Sequence, residues 1–141
     1  MSKAQPFVSV VIPAYNEEDY IGPCLESLAW QKTTHQYEVV LIDNNSTDKT
    51  KAVAKTFQDK INIRIINEAT QGRGMARYRG FEEAKGDVIF STDADTILPE
   101  DWIERFMKHF EDKKVVAVTS PCNFDGSSHI NKALFTLQRI G

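Results

Sequence analysis

The chain has 141 residues, of which 41% are hydrophobic and 26% charged, and its formal net charge is −3 at pH 7. A chain of this length forms one domain or part of one and can bury ~68–70% of its unfolded surface. The slightly acidic balance excludes the basic surface by which proteins bind nucleic acid, so we expect no nucleic-acid partner. No apolar run approaches the ~20 residues of a membrane span. The two cysteines lack disulfide or metal spacing, which indicates a reducing cytoplasm.

Five strands are predicted from apolar runs rich in β-branched residues. They cover Phe7–Ala14, Glu38–Asp43, Ile61–Asn67, Val88–Thr92 and Val115–Ser120. The first, second and fourth are almost continuously apolar, which is typical of central parallel strands that are covered on both faces. The third alternates apolar and polar residues and is expected nearer an edge of the sheet.

Amphipathic segments between the strands predict helices. They cover Tyr20–Gln31, Gly72–Lys85 (a loop turning into a helix), Glu100–Glu111 and His129–Ile140. Ser46 or Thr47 is expected to cap a further helix, which ends near Phe57. Strands that alternate with helices at these spacings predict an α/β fold, with a mostly parallel central sheet flanked by helices.

Polar clusters follow three of the predicted strands at the points where those strands end. They are Tyr15–Glu18, Asp43–Asp48 and Asp93–Asp95. Ligands of open α/β sheets bind outside the carboxyl ends of the strands. Three separate clusters at one edge are hard to explain as helix capping alone, so the sequence predicts a ligand site there.

Asp93 and Asp95 are separated by one small residue at the end of a buried strand. Residues two apart in an extended or turning segment can point toward the same space and form a compact anionic pocket. Such a pocket suits Mg²⁺ or Mn²⁺, which would in turn hold phosphate oxygens. A solvated turn that caps the helix after Pro99 is the alternative interpretation.

Four motifs occur in a characteristic order along the chain. They are Pro13-Ala14-Tyr15-Asn16-Glu17-Glu18, then Asp43-Asn44-Asn45-Ser46-Thr47-Asp48, then Gly72 with Ala76-Arg77 and Gly80, then Gly86-Asp87 leading to Asp93-Ala94-Asp95. This order and spacing resemble those of the family 2 glycosyltransferases. Members of that family are inverting enzymes with the Rossmann-like GT-A fold, and they use nucleotide-activated sugars.

The resemblance implies roles for residues around the nucleotide. The Pro13–Tyr15 turn would border the nucleobase, and Tyr15 is a candidate for stacking on it. Asp43 would accept a hydrogen bond from a base N–H, such as that of uracil N3, so the implied donor is a UDP-sugar. Arg77 would lie near the base or the diphosphate, helped by Arg73.

The resemblance also implies that Asp93 contacts the ribose or sugar and that Asp95 coordinates Mn²⁺ or Mg²⁺, with Asp93 beside it. The full set assigned to the nucleotide sugar is Pro13, Ala14, Tyr15, Glu17, Asp43, Asn45, Gly72, Arg73, Arg77, Asp93, Ala94 and Asp95. Two positions depart from the family pattern: Asn44 stands where Asp is common, and Tyr78 replaces the frequent Asn after Arg77.

No catalytic base is identified in this chain. In the family that base comes from the second half of the domain, and Asp125, the only acid beyond Asp112, fits an Asp-Gly turn better. We therefore expect residues 1–141 to form a single donor-binding domain, truncated before the half that binds a hydroxyl acceptor. The sugar and the acceptor stay undetermined, and a homodimer is left open.

Two other functions remain as alternatives. The first is a non-catalytic module that binds a nucleotide sugar for a partner. The second is a phosphatase of the haloacid-dehalogenase type, in which Asp93 would be the nucleophile; that family, however, places its motif on the first strand. Membrane association, at the inner face, is expected only through segments outside this chain.

Overall fold

A computed structural model describes residues 5–121 and 133–138 of the chain. Its strands are β1 (Val8–Ala14), β2 (Tyr37–Asp43), β3 (Ile63–Asn67), β4 (Val88–Ser91), β5 (Ala117–Pro121) and β6 (Ala133–Gln138). Its helices are α1 (Ile21–Ala29), α2 (Thr50–Lys55), α3 (Arg73–Glu83) and α4 (Trp102–Met107), which continues into a 3-10 turn at Lys108–Glu111. Among these residues, no helix is long and apolar enough to cross a membrane.

The strands form one six-stranded sheet in the order β3-β2-β1-β4-β6-β5. β1 pairs in parallel with β2 and with β4, and β2 pairs in parallel with β3. β6 runs antiparallel to both of its neighbours, β4 and β5. Every residue of β1 is buried, as expected of a central strand covered on both faces. The predicted α/β fold with a mostly parallel sheet is confirmed.

The predicted helix at His129–Ile140 is wrong over its described part. Residues Ala133–Gln138 form β6, which lies between β4 and β5; the other residues of that segment, and Asp125, lie outside the described residues. A short apolar run fits a strand as well as a helix. Two antiparallel neighbours satisfy its backbone groups on both sides, so tertiary pairing decides the outcome.

The cap predicted for the second helix is also wrong. The helix begins at Thr50, and the carboxylate of Asp48 accepts the Thr50 N–H at 2.9 Å. Ser46 and Thr47 instead bond to Asn16 in the loop after β1, at 3.0 and 2.8 Å. A contact between distant loops therefore replaces the local cap.

Helix α3 packs closely on the sheet at Gly80. A Cβ atom there would lie 2.2 Å from Cγ1 of Val11 and 3.3 Å from Cγ1 of Ile42, both of which are buried. Only a residue without a side chain allows this approach. On the opposite face, α4 covers the sheet through aromatic contacts: the rings of Phe90 and Trp102 meet edge to face, with centroids 5.0 Å apart.

A buried carboxylate, Glu38, joins four segments at the amino edge of the sheet. It is 2% exposed, and it accepts hydrogen bonds from Ser9 Oγ at 2.7 Å, Arg64 Nε at 2.9 Å and the Lys85 N–H at 3.0 Å. Arg64 also donates to the carbonyl of Glu83 at the end of α3. This network fixes the start of β2 to β1, to β3 and to the end of α3.

Candidate functional site

The loops after β1 and β2 are bonded to each other at the carboxyl edge of the sheet. Asn16 donates its N–H to Ser46 and accepts the N–H of Thr47 on its Oδ1, and the Glu17 N–H donates to Thr50 Oγ1 at 2.8 Å. Asn16 has a φ of 51° and Asn45 a φ of 63°, left-handed values that asparagine tolerates better than most residues. The two predicted clusters thus form one rigid frame.

A second connection runs from the loop after β2 to the loop between β3 and α3. Asn44 donates from Nδ2 to the carbonyls of Glu68 and Thr70 and accepts the Gly72 N–H on Oδ1, each at 2.8 Å. Asn45 adds a hydrogen bond from its Nδ2 to the carbonyl of Ala69 at 2.7 Å. The start of α3 is therefore tied to the end of β2.

Asp43 is the last residue of β2 and lies within this frame. It is 3% exposed, and Nζ of Lys51 lies 3.6 Å from its Oδ2. Its Oδ1 is buried and has no hydrogen-bond partner among the described residues. Buried carboxylate oxygens are normally paired, so this atom is an acceptor without its donor.

A cleft of about 230 Å³ opens at the same edge. It is lined by Pro13, Ala14, Tyr15, Glu17, Asn44, Gln71, Arg73 and Ala76. Five of the predicted ligand residues therefore line one cleft: Pro13 and Ala14 at the end of β1, Tyr15 and Glu17 in the loop after it, and Arg73 at the start of α3. Asp43 does not line the cleft but immediately precedes Asn44, which does. A larger cavity, of about 440 Å³, lies at the amino edge, where it includes Asp87, Glu104 and Lys108 and none of the predicted residues.

The loop after β4 carries the two aspartates. Asp93 accepts a hydrogen bond from Arg77 of α3 at 2.7 Å, and both side chains are half-buried. Ala94 is buried in the core, whereas Asp95 is exposed. The buried alanine anchors the loop, and the ion pair joins it to α3, so Asp95 is presented at the surface from a fixed base.

Cys24 of α1 lies beneath this loop, with its Sγ 3.7 Å from the carbonyl of Asp93. Burial, together with the charges of Asp95, Asp93 and Glu17, raises the pKa of Cys24 to about 12. The thiol is therefore protonated and unreactive at neutral pH.

Within the described ranges, no three His, Cys, Asp or Glu side chains lie close enough to hold a metal ion by themselves. Mg²⁺ is commonly held by one or two carboxylates together with substrate phosphates, rather than by a cage made only of protein. The exposed Asp95 beside Asp93 fits that kind of site. The metal and nucleotide-sugar assignments of individual residues stay predictions.

Sequence reasoning missed the residues that hold the site residues in place. The sequence indicates Asn16 only as part of a motif, Ser46 as a helix cap, and Asn44 as a departure from the family pattern. The roles of these three residues depend on hydrogen bonds between segments that lie far apart in the chain. The dense polar sequence from Asn44 to Asp48 is the one local signal that could have indicated them.

Comparison with known proteins shows the family to which the chain belongs. The sequence profile of Glycosyl transferase family 2 matches residues 9–140. Glycosyltransferase AglE of Haloferax volcanii is 38% identical over 109 residues, which make up 74% of this chain and 36% of that relative. The chain therefore spans little more than a third of the length of this relative.

Solved structures give the same result for the fold. S. aureus TarS in complex with UDP-GlcNAc matches with a TM-score of 0.75 and 26% identity, over 86% of this chain and 37% of TarS. The mannosyltransferase PcManGT of Pyrobaculum calidifontis, in complex with GDP-Man and Mn²⁺, matches with a TM-score of 0.75 and 28% identity, over 80% and 34% of the two chains. The chain belongs to glycosyl transferase family 2.

Proposed function

We propose that this chain is the donor-binding part of an inverting glycosyltransferase, and that it binds a nucleotide-diphosphate sugar together with a divalent metal ion. Family membership supports this, as do the neighbours TarS, which holds UDP-GlcNAc, and PcManGT, which holds GDP-Man and Mn²⁺. An inverting transfer also needs a base that takes the proton of the acceptor hydroxyl. We assign only donor binding to the residues of this chain, and we assign the role of the base to none of the described carboxylates.

The unpaired Oδ1 of Asp43 is the observation that carries the proposal. Leaving a buried acceptor without a donor costs about 1–3 kcal/mol, a cost that a ligand N–H would remove. Uracil and guanine each present a ring N–H on the edge that pairs in nucleic acids, whereas adenine and cytosine present a ring nitrogen that only accepts. We favour uracil, with the half-exposed Tyr15 stacking on it at the mouth of the cleft.

The charged groups of the site are arranged for a diphosphate. Asp95, with Asp93 beside it, would hold Mn²⁺ or Mg²⁺, and phosphate oxygens would complete the coordination. When bound, the metal stabilises the negative charge that grows on the diphosphate leaving group. Arg77 neutralises Asp93 and so lowers the charge that opposes phosphate binding, while Arg73 lines the cleft.

A non-catalytic module that binds a nucleotide sugar would use the same residues. The two functions differ only in whether the sugar reaches an acceptor. A donor-consumption assay with a panel of acceptors, on the longest available form of the protein, separates them.

The test of donor binding is Asp43→Ala, measured by titration calorimetry with UDP and with inorganic pyrophosphate, both in the presence of Mn²⁺. We expect UDP to lose about 1–3 kcal/mol of affinity, because the base N–H loses its acceptor, and pyrophosphate affinity to stay unchanged. Asp59→Ala, which removes an exposed acid beyond α2, is the control. Equal weakening of both ligands would show instead that Asp43 is structural.

A further inference from the structure

Asn44 joins two of the loops that border the cleft, and its side-chain amide uses both of its donors and its carbonyl oxygen in doing so. An asparagine side chain offers two N–H donors and one carbonyl acceptor. Here the two donors bond to the carbonyls of Glu68 and Thr70, and the acceptor takes the N–H of Gly72. The side chain is also 2% exposed, so bulk solvent does not reach these bonds.

The segment that Asn44 holds leads directly into α3. Gly72 stands at the start of that helix with a φ of 142°, and no side chain caps the helix there. Its N–H is fixed by Asn44 alone among the described residues. The next residue, Arg73, lines the cleft, and Arg77 follows one turn later with its hydrogen bond to Asp93.

The chemistry of this connection requires an amide. An aspartate of the same shape could still accept the Gly72 N–H, but it would bring a carboxylate against the carbonyl oxygens of Glu68 and Thr70. An alanine would leave all three backbone groups without their partner. The position of the loop therefore depends on the side-chain donors of Asn44.

We infer that Asn44 is a positioning residue for donor binding: it holds the β3–α3 loop so that Arg73 faces the cleft before a ligand arrives. The identity of the ligand rests on the proposed function, whereas the claim that Asn44 holds the loop rests on its three hydrogen bonds and on no ligand. Asn44 acts through Arg73, so its contribution to affinity depends on the presence of that arginine.

A double-mutant cycle with Asn44→Ala and Arg73→Ala tests this, with UDP and Mn²⁺ as the ligand in titration calorimetry. We expect Asn44→Ala to weaken UDP binding about tenfold when Arg73 is present, and less than about twofold in the Arg73→Ala background. Asn62→Asp, at an exposed asparagine on the amino edge, should leave the affinity unchanged. Equal weakening in both backgrounds would overturn the inference, because a merely structural role would not depend on Arg73.

Hydrogen exchange of the ligand-free chain tests the hold on the loop separately. The Gly72 amide should exchange faster in Asn44→Ala than in the wild type, while the amides of β1 keep their protection. Unchanged protection at Gly72 would overturn the inference. If Asn44→Ala does not fold, Asn44→Leu, which fills a similar volume with neither a donor nor an acceptor, replaces it in both measurements.

The two proposals can fail separately. If the wild-type chain does not bind UDP with Mn²⁺, the proposed function fails, and this inference with it. If the wild type binds but the cycle shows no coupling, only the role of Asn44 is wrong.

Discussion

Strand β2 carries a buried carboxylate near each end, and the fold pairs them differently. Glu38, at the amino edge, accepts hydrogen bonds from Ser9, Arg64 and the Lys85 backbone. Asp43, at the carboxyl edge, has only a lysine 3.6 Å from one oxygen and no described hydrogen-bond partner for the other. A buried charge is retained at low cost only when it is paired. The fully paired carboxylate therefore serves the structure, and the incompletely paired one is the carboxylate to which we assign a ligand under the proposed function.

The same contrast separates the two edges of the sheet. The amino edge has the larger cavity, about 440 Å³, but none of the described residues that line it has a buried side-chain nitrogen or oxygen without a hydrogen-bond partner. The carboxyl edge has a cleft of about 230 Å³, framed by loops that bond to one another across the sheet. Among the described residues, buried side-chain oxygens without a hydrogen-bond partner occur where β2 and β4 end, at Asp43, Ser91 and Thr92. This incomplete pairing, rather than cavity size, supports the donor site proposed at the carboxyl edge.

The largest expected effect is on the free energy of unfolding, which should respond differently when the pairing of Glu38 and that of Asp43 are changed. Arg64→Met leaves Glu38 buried without its cation and should lower the free energy of unfolding by about 3–5 kcal/mol. Asp43→Asn removes a charge that is poorly paired, and it should change the free energy of unfolding by less than about 1 kcal/mol. Denaturant titration of both variants measures this. Similar losses in the two variants would show that Asp43 is as structural as Glu38.

The next effect is the change in stability on replacing a glycine at each of two positions in α3, Gly80 and Gly74. Gly80→Ala would place a Cβ atom 2.2 Å from Val11 Cγ1, and we expect this overpacking to cost about 1–3 kcal/mol of stability. Gly74 lies in the first turn of the same helix, with no atom within 4 Å of such a Cβ. Gly74→Ala should therefore stabilise the chain by up to about 1 kcal/mol. Thermal unfolding checks both, and a loss in Gly74→Ala would contradict the open environment described for that end.

A smaller effect is the response of the amino edge to pH. Burial raises the pKa of Glu38, but hydrogen bonds from Arg64, Ser9 and the Lys85 N–H outweigh it and hold the pKa below its ordinary value. Because the folded pKa is lowered, the ionised group stabilises the fold above about pH 4.3, the usual glutamate pKa. That contribution is lost as the pH falls through the folded pKa. The gap in unfolding free energy between wild type and Glu38→Gln should therefore narrow between pH 7 and pH 3; a constant gap would contradict this.

Much of the sheet could be predicted because its signals are local. Each of β1 to β4 is an apolar run bounded by polar residues, and the clusters at Tyr15, Asp43 and Asp93 follow directly from where three of those runs end. The parallel order then places all three clusters at one edge. Local patterns were therefore sufficient to predict that the three polar clusters follow strand ends at one edge of the sheet.

What could not be predicted depends on contacts between distant segments. Leu134 and Leu137 are three residues apart, as in a helix, yet pairing with β4 and β5 makes this segment a strand. Ser46 has the composition of a helix cap, but it bonds to Asn16. The role of Asn44 likewise depends on a loop 24 to 28 residues further along the chain.

The most direct test of donor binding at the carboxyl edge is a calorimetric titration of the wild-type chain with UDP, in Mn²⁺ and in chelator. We predict clearly tighter binding with Mn²⁺, because the metal joins a carboxylate to the phosphates. Asp95→Ala should lose most of that difference, while Glu100→Ala, at an exposed acid five residues later, should keep it. Equal affinity of the wild-type chain in the two buffers would contradict a metal-assisted donor site.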